Sequence, residues 1–369
     1  MNQHRFVHLS AGDPLPWFTQ NNTSSEEFQI QTTGGRYLLF AFFGSAADAG
    51  GQAMLTVAQR GRHFFDDLKI AFFGVSVSPD DQKAVKQELP GIRHFWDFDG
   101  SVSRACGAVS LDLSMAYRRL WMIVNPDLRI RAVMEATGED AGVGAVLAAL
   151  EALPALDQYN GFTAQAPILI LPNVFDEERC KSLIKMYQDA GGRESGFMRD
   201  IDGKTVEVMD RSHKSRSDFI ISDEELQQQI QTIFRRRIVP EIKKAHQFDV
   251  TRMERYLVGC YDAENGGHFN QHRDNTTKGT AHRRFAVSVN LNDDFDGGEV
   301  RFPEYGPRGY KAPPGGAVVF SCSLLHAVSP ITRGKRFAFL PFLYDEAAAR
   351  MREANAAHLA AGSDYRAVG

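Results

Sequence analysis

The sequence predicts two parts of different class: an α/β sandwich over residues 1–153, a linker over 154–167, and an all-β jelly roll packed on helices over 168–369. Three observations carry this reading. Apolar runs alternate with amphipathic stretches up to about residue 153, the order expected of a sheet covered by helices. The segment PALDQYNGFTAQAP, 154–167, then mixes Pro, Gly and polar residues as a linker does. From 251 to 344 the chain changes to short alternating runs punctuated by Asn-Gly, Gly-Gly and Pro-Gly, an antiparallel pattern.

The elements follow in order. A strand, YLLFAFF, begins at Tyr37, and a helix is expected over about 52–66. The run KIAFFGVSV, 69–77, is a second strand; PDDQKAVKQEL is a helix, HFWDF a short strand, and Asn125-Pro126-Asp127 the turn of a hairpin. A helix over 140–153 closes the sandwich. Beyond the linker, DEERCKSLIKMYQDAGG is an amphipathic helix ending at Gly191-Gly192. A second helix is expected from Ser222 to Gln247, opened by a capping box of Ser222 and Glu225.

Composition narrows the function. With 42 Lys+Arg against 46 Asp+Glu, the net charge of −4 argues against a nucleic acid or an anionic membrane as the main partner. The opening MNQHRFVHLSAGDPLPWF lacks the basic and apolar regions of a signal peptide, and no apolar run approaches the ~18 to 20 residues of a membrane span. The expected location is therefore cytoplasmic. Cys106, Cys180, Cys260 and Cys322 are widely separated and form no Cys-x-x-Cys pair, so buried free thiols are expected.

The order GDPLPWF, RYLLFAFFGS, FFGVSVSPD, FWDFDGSVSRACGA and WMIVNPDLRI resembles the peroxiredoxin branch of the thioredoxin fold, over roughly residues 6–153. Such an enzyme needs a low-pKa cysteine at the helix N-terminus after the first core strand. Here that stretch is GSAADAGGQA, 44–53, with no cysteine. The domain is expected to be a non-catalytic scaffold, an interaction surface or a homodimerisation unit, with a residual redox role for Cys106 as the alternative.

In the β region, His272 and Asp274 stand at i and i+2, so on an extended backbone both side chains leave one face. His326 in SLLHAVSP is a third candidate. Two imidazoles and a carboxylate form the facial iron(II) ligand set, which leaves open positions for a bidentate 2-oxo acid and O2. Ten residues after His326 comes Arg336, in the otherwise apolar strand GKRFAFLPF, where a buried cation needs an anion. Iron(II), Asp274 and a 2-oxoglutarate dianion leave one negative charge, which Arg336 neutralises; its planar fork suits a carboxylate. Lys335 must point to the opposite face. In FAVSVNLN, Phe285, Val287, Val289 and Leu291 make an apolar face, while Ala286, Ser288, Asn290 and Asn292 make a small polar one that leaves room for a ligand, or else faces solvent.

The blocks CYDAENGGHFNQHRDN, RRFAVSVNLNDDFDGGEVRFP and PPGGAVVFSCSLLHAVSPITRGKRFAF resemble the iron(II)/2-oxoglutarate dioxygenases of the prolyl 4-hydroxylase type, over roughly residues 168–344. The resemblance implies a double-stranded β-helix in which His272, Asp274 and His326 bind iron and Arg336 binds the distal carboxylate of 2-oxoglutarate. It also implies that the Tyr261 hydroxyl contacts the cosubstrate, that Asn290 stands where many relatives have a cosubstrate-contacting tyrosine, and that ascorbate serves as a reductant. Residues 191–218, with Gly191, Gly192, Gly196 and Gly203, read either as a lid over the substrate or as a solvated loop. Within them Arg211, Lys214 and Arg216 either meet an acidic substrate or are surface charges. His213, His268 and His282 remain alternative pocket histidines.

The expected activity is hydroxylation of a prolyl or other peptidyl residue, or of a small amino-acid-like molecule, coupled to oxidative decarboxylation of 2-oxoglutarate. The rival is a thiol-redox or interaction protein acting through the N-terminal part, with a degenerate oxygenase part.

Overall fold

In the computed structural model, residues 5–112 and 115–359 are described; the outermost residues of the two expected domains, 1–4 and 360–369, lie outside them. The chain divides into one unit of Met1–Gln165 with Pro303–Pro307, and a second of Ala166–Phe302 with Arg308–Gly369. Among the described residues no helix is long and apolar enough to cross a membrane.

The first unit is built on a five-stranded mixed sheet. Tyr37–Gly44 lies at its centre, parallel to Ile70–Ser76 and antiparallel to Leu120–Val124, with Ile92–Trp96 and Ile130–Glu135 at the edges. Every residue of Tyr37–Gly44 and Ile70–Ser76 is buried, which is why both read as unbroken apolar runs rather than as alternating ones. Helices Ala49–Arg60 and Val143–Glu151 cover one face through Met54, Val57, Val146 and Leu150. The first of these starts three residues before the expected position because Asp48 caps it, its carboxylate accepting from Gly51 N at 2.8 Å. The helix expected over PDDQKAVKQEL shrinks to Asp81–Ala84: Val85 is already extended, and Pro90 follows shortly.

The second unit packs two sheets. The larger runs, in order, through Arg252–Glu254, Phe342–Tyr344, Phe285–Asn290, Lys335–Phe339, Leu257–Asp262, Ser217–Ile220 and Arg193–Glu194, with Ala317–Ser321 and Leu169–Leu171 branching from Phe285–Asn290. The smaller runs through Lys214–Ser215, His268–His272, His326–Val328, Val300–Arg301 and Gly309–Tyr310. Tyr261 from the larger sheet and Phe269 and Val328 from the smaller one join Phe295 and Ile331 in one buried cluster, so the sheets face each other there.

Helix Glu177–Ala190 begins at Asp176, as its charged first turn suggests, and ends at Gly191. The second helix departs from expectation. Its cap is Asp223, not Ser222, with Asp223 accepting from Leu226 N at 3.1 Å. It also breaks at Ile238 into Glu224–Arg237 and Val239–His246, because Pro240 cannot donate to the continuing ladder. Both pieces bury their apolar residues, Leu226, Ile230, Phe234 and Ile242, against the large sheet's Val287, Val289 and Phe339. Residues 191–218 form strands Arg193–Glu194, Phe197–Ile201, Lys204–Val208 and Lys214–Ser215 and enter Ser217–Ile220, which corrects the reading of a plain solvated loop.

Candidate functional site

His272 ends the strand His268–His272 and His326 opens His326–Val328; the two are directly paired across the antiparallel ladder, after a bulge between Phe269 and His272. Their ring centroids are 4.2 Å apart. Asp274 follows at i+2, its Oδ1 3.5 Å from His272 Nε2 and its Oδ2 3.4 Å from His326 Nε2. One ligand atom from each residue lies within 4.8 Å of the others.

The second nitrogen of each ring decides what the cluster can do. His272 Nδ1 lies 2.7 Å from the Asn270 carbonyl and His326 Nδ1 3.0 Å from the Leu324 carbonyl. A carbonyl only accepts, so Nδ1 carries the proton and each Nε2 directs a lone pair at the carboxylate. Burial pushes His326 down to about 4, with His272 adding to the effect, so its imidazole is neutral near pH 7. Burial alone would raise Asp274, but the facing His326 and His272 hold it far below the usual carboxylate range. Three acceptors thus converge with no donor between them, an arrangement a divalent cation relieves. Phe269 stacks on His272 at 3.5 Å, and Phe320 and Phe302 lie 4.6 and 6.4 Å from His326, giving the cluster an apolar wall.

Arg336 stands on the facing sheet and is 1% exposed. Its Nε donates to Asn290 Oδ1 at 3.0 Å and its Nη2 to Ser288 Oγ at 2.7 Å, while Nη1 has no hydrogen-bond partner among the described residues. No carboxylate pairs with it among the described residues. Burial, opposed only in part by Tyr261, makes its charged form costly. Gly298, at φ +69°, is needed beside it: a Cβ there would meet Arg336 Cδ at 3.0 Å and Ile331 Cδ1 at 2.4 Å. Lys335 leaves the other face and pairs with Asp262 at 2.9 Å.

Tyr261 is paired with Arg336 across the ladder, and its ring lies under that guanidinium at 5.3 Å. Asn290 has neither polar end free, since its Nδ2 donates to the Ala312 carbonyl at 2.7 Å; it holds Arg336 in place. Ser288 and Asn290 therefore face inward, and Asn292 instead accepts from Phe337 N and braces the strand.

The structure corrects the reading of Lys214 and Arg216 as surface charges: both are buried. Arg216 forks onto Asp218 with two contacts of 2.6 Å and donates from Nη1 to the Tyr261 hydroxyl at 3.3 Å. The Arg-x-Asp spacing could have disclosed this pair, since it puts both side chains on one face as His-x-Asp does. Arg211 remains exposed, paired with Glu194 at 2.6 Å. Among the alternative histidines, His282 is buried and committed to Glu254 at 2.9 Å. His268 is tied to the carbonyls of Gly266 and Ser212, and His213 packs between Phe197 and Phe269.

In the first unit, Cys106 is 2% exposed, and burial, reinforced by Asp97, pushes its thiol up to about 12. Such a thiol is not a nucleophile at neutral pH. At the start of Ala49–Arg60, Asp48 pairs with Arg119 Nη2 at 2.5 Å, and a Cβ on Gly51 would lie 1.8 Å from the Ser45 carbonyl oxygen. A carboxylate is therefore the anion at that helix N-terminus, and position 51 has no room for a side chain.

Residues 253–344 match the family model described as the 2OG-Fe(II) oxygenase superfamily. A PKHD-type hydroxylase of Synechococcus sp. (strain JA-2-3B'a(2-13)) is 33% identical over 89 residues, 22% of this chain and 39% of that protein. A PKHD-type hydroxylase of Cupriavidus metallidurans is 40% identical over 85 residues, 20% of this chain and 37% of that protein. The chain thus spans under two fifths of the length of these curated relatives. Among solved structures, a prolyl hydroxylase from Trichoplax adhaerens in complex with a hypoxia inducible factor peptide fragment has 16% identity and a TM-score of 0.39, covering 54% of this chain and 89% of that one. Peroxidoxin BcpB from Mycobacterium tuberculosis has 16% identity and a TM-score of 0.34, covering 40% and 100%. The stretch that matches the 2OG-Fe(II) oxygenase superfamily model, residues 253–344, contains His272, Asp274, His326, Arg336, Tyr261 and Asn290.

Proposed function

We propose that the protein is an Fe(II)- and 2-oxoglutarate-dependent hydroxylase that converts 2-oxoglutarate, O2 and a C–H substrate into succinate, CO2 and the hydroxylated product. The observation that carries the reading is the pairing of a donor-free His-Asp-His cluster with a buried arginine lacking an anion. Iron(II), when bound, supplies the redox chemistry that couples decarboxylation to hydroxylation.

The chain's own residues do the rest. His272, His326 and Asp274 hold the metal, and the carbonyls of Asn270 and Leu324 fix the ring orientation. Arg336 takes the distal carboxylate of 2-oxoglutarate with its free Nη1, while Ser288 and Asn290 set the direction of its fork. The Tyr261 hydroxyl, which accepts from Arg216 Nη1, contacts the same cosubstrate. Phe269, Phe302 and Phe320 keep water from the metal side.

The substrate is a prolyl or other peptidyl residue or a small amino-acid-like molecule, and ascorbate is the reductant that keeps the iron ferrous. The first unit, a thioredoxin-like domain without a peroxidatic cysteine, is a non-catalytic scaffold, interaction surface or homodimerisation unit. The test is anaerobic addition of iron(II) and 2-oxoglutarate, read by visible absorption, followed by succinate detection over a panel of peptides and metabolites. Absence of both the absorption and succinate overturns the reading.

A further inference from the structure

Beside the metal cluster the second unit concentrates buried charge well beyond what iron and 2-oxoglutarate require. Lys214, Arg216 and Arg255 gather around one carboxylate, Asp218. That carboxylate is committed to Arg216, which grips it through Nε and Nη2. Among the described residues Lys214 donates to neutral acceptors alone, Ser195 Oγ at 2.8 Å and the Gly196 carbonyl. Next to them Glu254 serves His282, Arg283 and Arg352 at 2.9, 2.9 and 3.4 Å. Among the described residues, Arg216 and Arg255 pair with Asp218 and Arg283 and Arg352 with Glu254, while Lys214 feels Asp218 and Glu207 only at longer range. Asp274 belongs with the metal, and Arg336 with the cosubstrate. Burial lowers the proton affinity of Lys214, yet treating that amine as neutral still leaves two cations in excess. Excess charge held out of bulk water is expensive unless an anion arrives.

Arg255 is where that anion has access. Its side chain is 27% exposed, against 6% for Arg216 and 4% for Arg283. Its one ion pair is a long contact of 3.4 Å from Nη2 to Asp218 Oδ2, and it makes no other side-chain hydrogen bond among the described residues. It also stands at φ +64°, a left-handed conformation that is unfavourable for arginine and is imposed between strands Arg252–Glu254 and Leu257–Asp262. Its guanidinium lies 5.7 Å from the Phe342 ring, whose centre Arg283 approaches to 3.9 Å. Arg283 in turn donates from Nη1 to the Asp274 backbone carbonyl at 3.3 Å. A fork with unused donors thus shares the Phe342 ring with Arg283, which holds the Asp274 backbone, and Asp274 itself acts on Arg255 electrostatically.

We infer that Arg255 recognises a carboxylate of the substrate, so that the molecule hydroxylated here is an acidic one, carrying its anionic group close to the carbon that reacts. The inference rests on the hydroxylase reading above and narrows its substrate class. A neutral peptidyl segment would leave the excess cations without a partner; a side-chain carboxylate, a chain terminus or a free amino acid would supply one.

The experiment uses the full chain loaded with iron(II) and 2-oxoglutarate, whose anaerobic visible absorption is recorded first. Succinate release is then measured over peptides and amino acids, each offered as the carboxylate and as its carboxamide: Asp against Asn, Glu against Gln, terminal acid against terminal amide. The expected result is that stimulating compounds are acids, preferred over their amides by roughly tenfold to hundredfold, the worth of a hydrogen bond to a charged group. Arg255→Gln should collapse that ratio and Arg255→Lys should restore part of it; a general loss of turnover does not imitate a change in ratio. Which acid is preferred separates a peptide side chain, a terminus and a free amino acid. A second readout needs neither substrate nor variant: phenylglyoxal should modify Arg255, located by peptide mapping, and inorganic phosphate should protect it with 2-oxoglutarate bound. Equal stimulation by acids and amides, an acid preference undiminished in Arg255→Gln, or no protection by phosphate would overturn the inference. Failure of the initial absorption would instead strike the hydroxylase reading itself.

Discussion

Each unit places an arginine where an anion belongs, and the two arginines are treated in opposite ways. Arg119 in the first unit is matched from within the chain: Asp48 caps helix Ala49–Arg60 and pairs with the guanidinium at 2.5 Å, while Arg119 Nε donates to the Phe43 carbonyl. Among the described residues, Arg336 in the second unit has the neutral Asn290 and Ser288 as its hydrogen-bond partners, and its Nη1 has none. An arginine neutralised by its own chain contributes to stability and leaves no vacancy for chemistry. An arginine buried without an anion costs stability until a ligand arrives, and that cost is the mark of a binding site.

The largest expected effect lies on the ligand-dependent side. His272→Ala, Asp274→Ala or His326→Ala should abolish iron binding and succinate release together while far-UV circular dichroism stays unchanged; full turnover by purified Asp274→Ala would sink the triad. Arg336→Ala should come next. It should cost on the order of 2 to 5 kcal/mol of 2-oxoglutarate binding, or roughly thirtyfold to several thousandfold in affinity, with iron affinity nearly unchanged. Lys335→Ala, on the other face, should do little, and equal small effects from the two would mean that the cosubstrate is misassigned. Asn290→Ala tests whether the neutral partners only aim the fork: the 2-oxoglutarate requirement should rise by roughly tenfold, the worth of one hydrogen bond to a charged group.

The self-neutralised side should answer in stability rather than in turnover. Asp48→Ala removes a helix cap and should lower the free energy of unfolding by about 1 kcal/mol in a denaturant titration, the half-exposed ion pair adding little. Succinate release should stay constant. The smallest effect is expected from Cys106→Ser: the full chain should consume no hydrogen peroxide with a thiol reductant, before or after the change. Peroxide consumption that disappears in Cys106→Ser would show that the first unit is an enzyme after all.

Much of the candidate site is legible because short-range geometry encodes it. His272 and Asp274 share a face by strand alternation, and the apolar surroundings of Arg336 announce a buried cation. The alternation of Phe285–Asn290 likewise marks Ser288 and Asn290 as inward-facing or solvent-facing, without saying which. That choice depends on what lies opposite, and the Arg336 strand supplies it. Lys214 and Arg216 show the converse: in sequence they look like solvated charges among Asp, Arg and Ser, and they become buried because Lys214–Ser215 pairs with His268–His272 while Ser217–Ile220 pairs with Leu257–Asp262.

The sequence by itself pointed to a two-part organisation, the apolar central strands, the helix start at Asp176, and His272, Asp274, His326 and Arg336 as the candidate site residues, all of which follow from residue type and from spacings of a few positions. Only the tertiary structure decided the break at Ile238, the burial of Arg216 beside Tyr261, the role of Asn290 as a brace for Arg336, and the excess of cations around Arg255. The physical reason is that hydrogen bonds and charges are settled by partners in space. Asp218 and Arg255 are 37 residues apart, and Asn290 and Arg336 are 46; no local pattern states that such pairs meet, or that one nitrogen of Arg336 is left over.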